Sequence, residues 1–495
     1  MHQYTLDAAT AARETAGRRA VVVGAGPNGL TAAALLARAG WQVDIYERAA
    51  QPGGSASTTD ALGPGTRVDL GAAAHPFGIA SPAFRELRLE EHGLEWRHSP
   101  FALAHPLDDG RAGLLHHDLD WTADDLGRDA AAWRRLHRPL TDHIDEAVAA
   151  LLQPAPRLAG RPRTLAKLAR FAPTALAPAA AIANRRLRSA EGRALFAGSA
   201  AHAFAPLGQP LTGAFGALFG ALGMTHGWPV ARGGSGAITD ALVEVATLAG
   251  ARLHLGHEVT DLRDLPGADA TVLALTPRQI ARLGGTDELP TRRLARWRHG
   301  AAACKVDYLL REPAPWTNPR VAEATTVHVA GDADEVIRAE ADVAAGRLPE
   351  RPFVLMTQQQ AADRTRSDGD GVVLSGYAHV PHGYADWHDD EVVDRIERQL
   401  ERFAPGFRDT VVFRRVTPPA QLEAWNPNLV GGDIAAGAMT SGQLLTRLGV
   451  AANPYRLGAA TYLASAAAPP GPGVHGMPGY WAAHAVLADF ARANR

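Results

Sequence analysis

The stretch from Arg19 to Ser57 constrains the fold of this chain more than any other. It reads RAVVVGAGPNGLTAAALLARAGWQVDIYERAAQPGGSAS. The apolar residues at 20–23, most of them valine, are typical of a buried parallel strand. An alanine- and leucine-rich segment at 30–38 predicts a helix, and residues 43–46 predict a second strand. The order of strand, helix and strand indicates the start of a doubly wound α/β domain.

Three glycines between the first strand and the helix follow the spacing G-x-G-x-x-G. Gly24 allows the tight turn, Gly26 lets the backbone approach a pyrophosphate, and Gly29 lets helix and strand pack closely. The helix N-terminus offers unpaired N–H groups to phosphates. Glu47 ends the second strand, where its carboxylate can accept hydrogen bonds from ribose hydroxyls. The combination predicts a dinucleotide site.

Composition narrows the class of protein. A chain of 495 residues predicts two or three domains, and a formal net charge of −2 argues against nucleic-acid binding. The single cysteine, Cys304, excludes an intrachain disulfide and a cysteine-rich metal site, so we expect no metal and a reducing, cytoplasmic setting. Residues 1–18 lack the apolar core of a signal peptide and predict a flexible leader.

The rest of the chain predicts a second, discontinuous domain. Residues 118–223 have a helical character, with helices expected at 124–152, 165–183, 190–203 and 210–222. Strands alternate with helices over 301–413, which predicts an antiparallel sheet. We therefore expect a Rossmann-type domain formed by residues 19–80, 228–300 and 455–495. A substrate domain, an antiparallel sheet plus the helical lobe 118–223, would take residues 81–227 and 301–454.

Three further loops are candidates for ligand contact. Gly53, Gly54 and Ser55 follow the second strand, with Arg48 beside Glu47. A polar turn-rich loop occupies 426–433, and a glycine-rich loop at 469–479 precedes a C-terminal helix. Plain connecting turns are the alternative interpretation of the first two.

Catalytic candidates are few. No Ser-His-Asp, paired-carboxylate or metal-ligand spacing stands out, and His75 and His202 are the two proton carriers that we would test. Phe204, near His202, is a candidate for a substrate pocket. A basic stretch from Arg157 to Arg188 among apolar residues is compatible with peripheral contact to an anionic membrane, or with an ordinary solvated helix face.

Several segments together resemble one enzyme family. They are VVVGAGPNGLTAAALLARAGWQVDIYER, PGG at 52–54, RGGSGAITDAL at 232–242, NPNLVGGDI at 426–434 and PPGPGVHGMPGYWAA at 469–483. In these the chain resembles the phytoene desaturase-related FAD oxidoreductases, within the amine oxidase-like flavoproteins. It is most similar to the branch typified by the pyridine nucleotide-disulphide oxidoreductase domain 2 proteins.

The resemblance implies noncovalent FAD and a set of contacts along it. Gly24, Gly26, Pro27, Asn28, Gly29 and Glu47 would hold the ADP half. Gly54 and Ser55 would lie along the pyrophosphate, the Val259 backbone would meet the adenine, and Gly473, Gly476 and Met477 would approach the flavin. The chain departs from the family's usual pattern twice: Ser55 replaces an arginine, and TYLASAA stands where a Cys-Gly pair is common.

The resemblance also implies hydride transfer between flavin N5 and a small hydrophobic or polyene-like substrate, with the cofactor carrying the redox chemistry. An amine-type oxidase using oxygen, a redox-neutral isomerase and a flavin-binding scaffold without turnover remain alternatives. Oxygen or a quinone could accept the electrons. The sequence leaves the substrate and the oligomeric state open.

Overall fold

Two separate sheets form the frame of the molecule. The computed structural model describes residues 8–155, 157, 160–384, 389–440, 442–443, 447 and 453–494. The first sheet has five parallel strands and the second has seven strands. Mixed α/β architecture of this kind confirms the predicted fold class.

The parallel sheet is built on the motif that opened the sequence analysis. Its strands lie in the order Thr461–Leu463, Ala270–Leu273, Arg19–Val23, Gln42–Tyr46 and Arg252–His254. In the centre Val22 pairs with Val272 on one side and Ile45 on the other, all buried. Helices Pro27–Arg38, Gly236–Leu248 and Met477–Ala493 pack over it. Burial of both faces explains why the two central strands, Arg19–Val23 and Ala270–Leu273, are mostly apolar.

The second sheet is larger than the sequence predicted. Its strands lie in the order Val411–Thr417, Ala302–Leu310, Val372–Val380, Val354–Thr357, Ala324–Val329, Phe101–Pro106 and Ala112–Leu115. The pairs are antiparallel except for Ala324–Val329 with Phe101–Pro106, which run parallel. The prediction limited this sheet to 301–413 and did not assign Phe101–Pro106 to it, because the partner of that strand, Ala324–Val329, is more than 200 residues away. Residues 113–116 were expected to be strand-like, and Ala112–Leu115 joins the sheet through Phe101–Pro106.

The helical lobe is more broken than expected. Its helices are Leu119–Asp125, Ala130–Thr141, Ile144–Leu151, Pro162–Leu168, Ala172–Leu176, Ala179–Arg186, Ala190–Ala201 and Thr212–Gly223. The single helix predicted over 124–152 is wrong. Asp129, buried in the first break, accepts hydrogen bonds from the backbone N–H groups of Arg188 and Ser189. This long-range contact fixes the turn.

Shorter elements complete the fold. Two small antiparallel ribbons pair Thr58–Thr59 with Val68–Asp69 and Trp96–Arg97 with Val230–Ala231. The other α-helices are Ala8–Thr15, Pro76–Ile79, Pro82–Leu87, Pro277–Ile280, Thr291–Leu294, Ala333–Ala344, Asp389–Phe403, Phe407–Thr410 and Pro419–Trp425. Across the described ranges, none of the helices has the length and apolar character that a bilayer crossing requires.

The predicted flexible leader is wrong in its second half. Ala8–Thr15 is a helix, and the buried Trp41 side chain donates a hydrogen bond from Nε1 to Thr15 Oγ1 at 3.0 Å. The polar composition of this segment gave no indication that its helix would pack against Trp41. Residues 1–7 of the predicted leader lie outside the described part of the chain.

Candidate active site

A cavity of about 680 Å³ extends from the parallel sheet to the seven-stranded sheet. Its nucleotide end, as we name it, is lined by the glycine turn at 24–29 and by Glu47. Its inner end is lined by aromatic rings and by strands of the second sheet. The nucleotide end lies at the carboxyl ends of the parallel strands, where open α/β sheets bind their ligands.

The first glycine turn has the geometry that its spacing predicts. Gly24 has φ of +100°, and a Cβ on Gly29 would lie 2.0 Å from the Gly24 carbonyl oxygen. Gly26 caps helix Pro27–Arg38 in an extended conformation, and a Cβ there would meet no protein atom within 4 Å. Gly24 and Gly29 are therefore required by the protein's own packing, whereas Gly26 keeps space open on the cavity wall.

Glu47 is held in place by the backbone. Its two carboxylate oxygens accept hydrogen bonds from the N–H groups of Ala25, at 2.8 Å, and Ala49, at 2.9 Å. The carboxylate is thus fixed between the glycine turn and the end of its own strand. Each oxygen keeps a further lone pair with which a ligand hydroxyl can bond.

The second glycine turn packs on the first. Gly53 donates from its N–H to the Ala25 carbonyl oxygen at 2.9 Å, and a Cβ on Gly54 would lie 3.4 Å from Gly26 Cα. Ser55 accepts a hydrogen bond from Asn426 Nδ2 at 3.2 Å. The polar loop at 426–433 therefore reaches the site. Of the two interpretations of this loop, a ligand-contacting loop and a plain connecting turn, the first predicted this position.

The C-terminal loop contributes less than expected. Gly473 lines the cavity with φ of +137°. Gly476 instead packs against helix Pro27–Arg38, where its Cβ would lie 2.3 Å from Thr31 Oγ1, and Met477 is buried. Neither Gly476 nor Met477 lies on the described cavity wall. Val259, Arg48, Pro27 and Asn28 do.

His75 lies buried beside the cavity and is neutral at neutral pH. Its Nε2 lies 2.8 Å from Ser235 Oγ, and the Ser235 hydroxyl donates to the Ala72 carbonyl oxygen at 2.5 Å. The imidazole Nε2 therefore carries the proton, and Nδ1 is an unprotonated, unpartnered acceptor. Burial lowers the pKa of His75 to about 4.

His202 is at the inner end, within a group of rings. Its Nε2 lies 3.1 Å from His328 Nε2, and its ring stacks on Phe219 with centroids 4.6 Å apart. Burial, with a smaller effect of His379, lowers the pKa of His202 to about 3. Both predicted proton carriers thus line one cavity, and both are neutral imidazoles near pH 7.

Phe204 and Tyr377 form a nearly parallel pair on the same wall. Their centroids are 6.4 Å apart with an interplanar angle of 14°. A substrate held between two parallel rings needs a contact distance of about 3.5 Å to each of them, so this separation leaves no slot for a substrate between the rings. Phe204 has φ of 50°, a left-handed conformation that costs about 1–3 kcal/mol in a bulky residue. The fold therefore holds this ring in place against local strain.

Sequence reasoning missed Lys305, which is the charged group of the inner wall. It is buried on strand Ala302–Leu310 and lines the cavity, and its Nζ contacts the carboxylate of Asp307. The two residues are two positions apart and so share one face of the strand. The sequence did contain a sign of this site, namely a lysine and an aspartate inside an otherwise apolar strand. Such charges are rarely buried without a function or a partner.

The acidic groups of the cavity lie at the nucleotide end. Glu47 and Glu258 are its lining carboxylates, and within the described residues no Asp or Glu lines the inner end. The inner end instead combines Lys305 and three hydroxyl side chains with aromatic and aliphatic ones; these residues are Thr326, Thr357, Ser375, His202, Phe204, Phe219, Trp228, Leu355 and Tyr377.

Comparison with known proteins places the chain in a family. The model of the flavin containing amine oxidoreductases matches residues 28–418, which is most of the chain. The chain belongs to this family. It is 27% identical to the rat pyridine nucleotide-disulfide oxidoreductase domain-containing protein 2, with 95% of this chain and 93% of the relative aligned. The resemblance predicted from the sequence motifs is thereby confirmed.

Two further similarities bear on this flavin oxidoreductase. A limonene dehydrogenase subunit of Castellaniella defragrans is 34% identical, over 26% of this chain and 23% of that protein. The structure of putrescine oxidase bound to putrescine superposes with a TM-score of 0.61 at 17% identity, covering 96% of this chain and 98% of that one. The latter similarity establishes the shared fold.

The cofactor of this family is FAD, and the residues at the nucleotide end fit it. The open space at Gly26 would be filled by any Cβ, as expected beside a closely bound pyrophosphate. Two buried polar atoms on the wall, Asn28 Oδ1 and Thr276 Oγ1, have no hydrogen-bond partner among the described residues. Glu47 keeps acceptor capacity for ribose. The protein is an FAD-dependent oxidoreductase.

Proposed function

We propose that this protein is a dehydrogenase or desaturase that acts on a neutral, apolar substrate. The observation that carries the proposal is the composition of the inner end, where rings, aliphatic side chains and the uncharged hydroxyls of Thr326, Thr357 and Ser375 surround Lys305 without a lining carboxylate among the described residues. Polyene-like hydrocarbons and apolar secondary metabolites fit such a wall, because burial removes their apolar surface from water.

Among the described residues the inner end offers no free lining carboxylate, which disfavours a protonated amine. A cation that enters the cavity loses its hydration, and the family's amine substrates would need a counter-charge or an open aromatic slot to replace it. Asp307, on the same strand face, is already paired with Lys305, and the 6.4 Å between the Phe204 and Tyr377 ring centroids leaves no room for a cation between the rings. An amine-type oxidase remains the second candidate, favoured by the shared fold with putrescine oxidase.

The bound FAD would accept the hydride of a two-electron oxidation. A group of the protein must accept the proton that is released with it. Removing hydrogen from two adjacent carbons releases one hydride and one proton. His75 has an unprotonated Nδ1, and His202 Nδ1 makes no hydrogen bond within the described residues. Because their low pKa values disfavour the imidazolium form, these histidines can receive a proton only transiently and must pass it on.

The name of one relative supports an apolar substrate. Limonene is a hydrocarbon, and the limonene dehydrogenase subunit aligns with about a quarter of this chain. We infer that the substrate here belongs to the same broad chemical class, without charge and with an oxidisable C–H bond next to a double bond.

Flavin reduction by a matched pair of compounds tests the proposal. The holoenzyme is mixed anaerobically with a monocyclic terpene hydrocarbon or with the primary amine of the same carbon skeleton, and the visible flavin absorbance is followed. We expect bleaching by the hydrocarbon and at least tenfold slower bleaching by the amine. Faster reduction by the amine would contradict the proposal and favour the amine oxidase.

The electron acceptor is proposed from chemistry alone. Oxygen and a quinone both accept electrons from reduced flavin, and an apolar quinone would suit the apolar cavity. Reoxidation of the dithionite-reduced holoenzyme by air or by a short-chain quinone, followed by the return of flavin absorbance, discriminates the two. Faster return with the quinone would identify it as the acceptor.

A further inference from the structure

Three histidines form a row that leads away from the inner end of the cavity. His202 is the C-terminal cap of a lobe helix, His328 lies on strand Ala324–Val329, and His105 lies on strand Phe101–Pro106. His202 lines the cavity, whereas His328 and His105 are fully buried and lie outside the described cavity wall. The row therefore extends from the cavity into the interior of the protein.

The register of the seven-stranded sheet places His105 and His328 side by side. Their strands run parallel, with Thr326 paired to Leu103. His328 and His105 lie two positions further along and therefore share one face of the sheet. A Cβ on Gly198, in a lobe helix, would lie 2.4 Å from His328 Nδ1 and 3.1 Å from His105 Nδ1. The two Nδ1 atoms are thus no more than about 5.5 Å apart, a gap that one water molecule can bridge.

The hydrogen bonds of the row indicate which ring nitrogens carry protons. Burial lowers the pKa of all three histidines, so each ring is neutral near pH 7 and has one N–H. His105 Nε2 lies 2.7 Å from the Gly331 carbonyl oxygen, so Nε2 carries the proton and Nδ1 is an unprotonated acceptor. His328 Nε2 lies 3.1 Å from His202 Nε2, and His328 Nδ1 has no hydrogen-bond partner among the described residues.

One tautomer of His328 fits these neighbours. A proton on His328 Nδ1 places a donor opposite the acceptor of His105, and His328 Nε2 then accepts a hydrogen bond from His202 Nε2. The other tautomer would leave two unprotonated Nδ1 atoms facing each other in a buried site, which is costly. The N–H groups of the row therefore all point in one direction, away from the cavity.

The two ends of the row differ in their surroundings. His202 is half-buried on the cavity wall, and its Nδ1 makes no hydrogen bond within the described residues. At the other end, Gly331 is followed by the exposed Asp332. Burial lowers the pKa of His105 to about 4, and the nearby carboxylate of Asp332 acts in the opposite direction. A proton acceptor thus faces the cavity, and a carboxylate at the surface lies beside the last N–H donor.

We propose that His202, His328 and His105 form a proton relay from the cavity to the protein surface beside Asp332. The inference rests on the proposed oxidation, in which a hydride leaves the substrate to the FAD and a proton leaves to His202 Nδ1. His202 then gives its Nε2 proton to His328 Nε2, and His328 gives its Nδ1 proton through a bridging water to His105 Nδ1. His105 releases its Nε2 proton to solvent beside Asp332. Each imidazole gains one proton and loses one, so none stays charged.

Nitrogen NMR of the holoenzyme tests the direction of the row without any substrate. Histidine is labelled with nitrogen-15, and the variants His202→Gln, His328→Gln and His105→Gln assign the signals. Long-range proton–nitrogen couplings at neutral pH report which ring nitrogen carries the proton. We expect Nε2–H on His202, Nδ1–H on His328 and Nε2–H on His105. An Nε2–H tautomer of His328 would overturn the proposal, whatever the enzyme oxidises.

Anaerobic flavin reduction by the monocyclic terpene hydrocarbon tests the transfer itself. His328→Gln should lower the limiting rate of bleaching about tenfold, because His202 can no longer pass its proton on. The hydrocarbon concentration that gives half this rate should not change, since His328 lies outside the described cavity wall. The control His137→Gln removes another fully buried histidine outside that wall and should reduce at the wild-type rate. FAD content and melting temperature establish that both variants are folded.

Three kinetic results would overturn the relay. They are an unchanged limiting rate in folded His328→Gln, an equal loss of rate in His137→Gln, and a weaker apparent affinity for the hydrocarbon that accounts for the whole loss. The last result would assign His328 a structural role in shaping the cavity. A wild type that the hydrocarbon does not bleach would contradict the proposed function instead, and the tautomers of the three histidines would still support or contradict the relay.

Discussion

Arg366 joins three distant segments of the chain through a fully buried guanidinium. It contacts Asp69 at 2.7 Å and Asp363 at 3.1 Å, and it donates to the Ala231 carbonyl oxygen at 3.1 Å. All three ionic side chains have at most 2% exposure. Asp69 also accepts from Ser235 N, and Ser235 contacts His75. The ion-pair cluster therefore supports the wall on which His75 lies.

We expect Arg366→Met to lower the free energy of unfolding by about 3–5 kcal/mol, because two buried carboxylates lose their counter-charge. Urea denaturation of the holoenzyme, followed by far-UV circular dichroism, measures the change. The control Arg398→Met breaks the exposed pair with Asp394 and should cost less than about 1 kcal/mol. An equal loss of unfolding free energy in both variants would show that Arg366 does not stabilise the protein by compensating two buried carboxylates.

At the scale of elements, helix Ala8–Thr15 docks on the parallel domain. Thr15 is buried and accepts the Trp41 indole N–H, and Trp41 packs edge-on against Phe490 of the C-terminal helix at 5.3 Å. The N-terminal helix thereby covers apolar surface that the parallel domain would otherwise expose.

Thr15→Val should destabilise the protein by about 1–3 kcal/mol, because the buried indole N–H of Trp41 loses its acceptor. Thr247→Val is the matched control: both threonines donate to the carbonyl oxygen four residues earlier, but Thr247 is exposed. Urea unfolding monitored by tryptophan fluorescence gives both values. A Thr15 variant as stable as the control would contradict the docking account.

The elements of the nucleotide end were predictable because their signals are local. Gly24, Gly26, Gly29 and Glu47 lie within one strand-helix-strand unit, and each has the position that its role requires. Helix boundaries in the lobe were not predictable in the same way. The break at Asp129 depends on hydrogen bonds to residues 188 and 189, which no local pattern reveals.

At the scale of the whole molecule, the inner end of the cavity depends on contacts between distant segments. Lys305, His202 and Tyr377 come from separate strands and helices and meet only in the folded chain. Alternation along a strand indicates which residues share a face but not which face lines a cavity. The sequence identified His75 and His202 as candidate proton carriers because of the chemistry of histidine. Their neutral state follows from burial, which only the structure shows.

Several buried histidines give the whole protein a pH-dependent stability. Burial lowers the pKa of His75, His105, His137 and His475 to about 4, from an ordinary value of 6.5. Between these values the unfolded chain binds more protons than the folded one. The free energy of unfolding should therefore fall as pH falls from 6.5 to about 4, and this contribution should be constant above 6.5.

Urea midpoints measured from pH 7.5 down to 4.5 check this dependence. His137→Gln should reduce the slope by up to roughly 1.4 kcal/mol per pH unit, since one fewer proton is taken up on unfolding. A slope that His137→Gln does not alter would contradict the assignment.

The most direct measurement is the FAD content of wild type and of Gly26→Val. A Cβ at Gly26 meets no described protein atom within 4 Å, so a side chain there extends into the cavity that FAD would occupy. Purified protein is denatured, and the released chromophore is identified by mass and quantified by visible absorbance. We predict about one FAD per chain in wild type and in the exposed-loop control Gly369→Val, and a folded but colourless Gly26→Val. Full FAD occupancy in Gly26→Val would contradict the account.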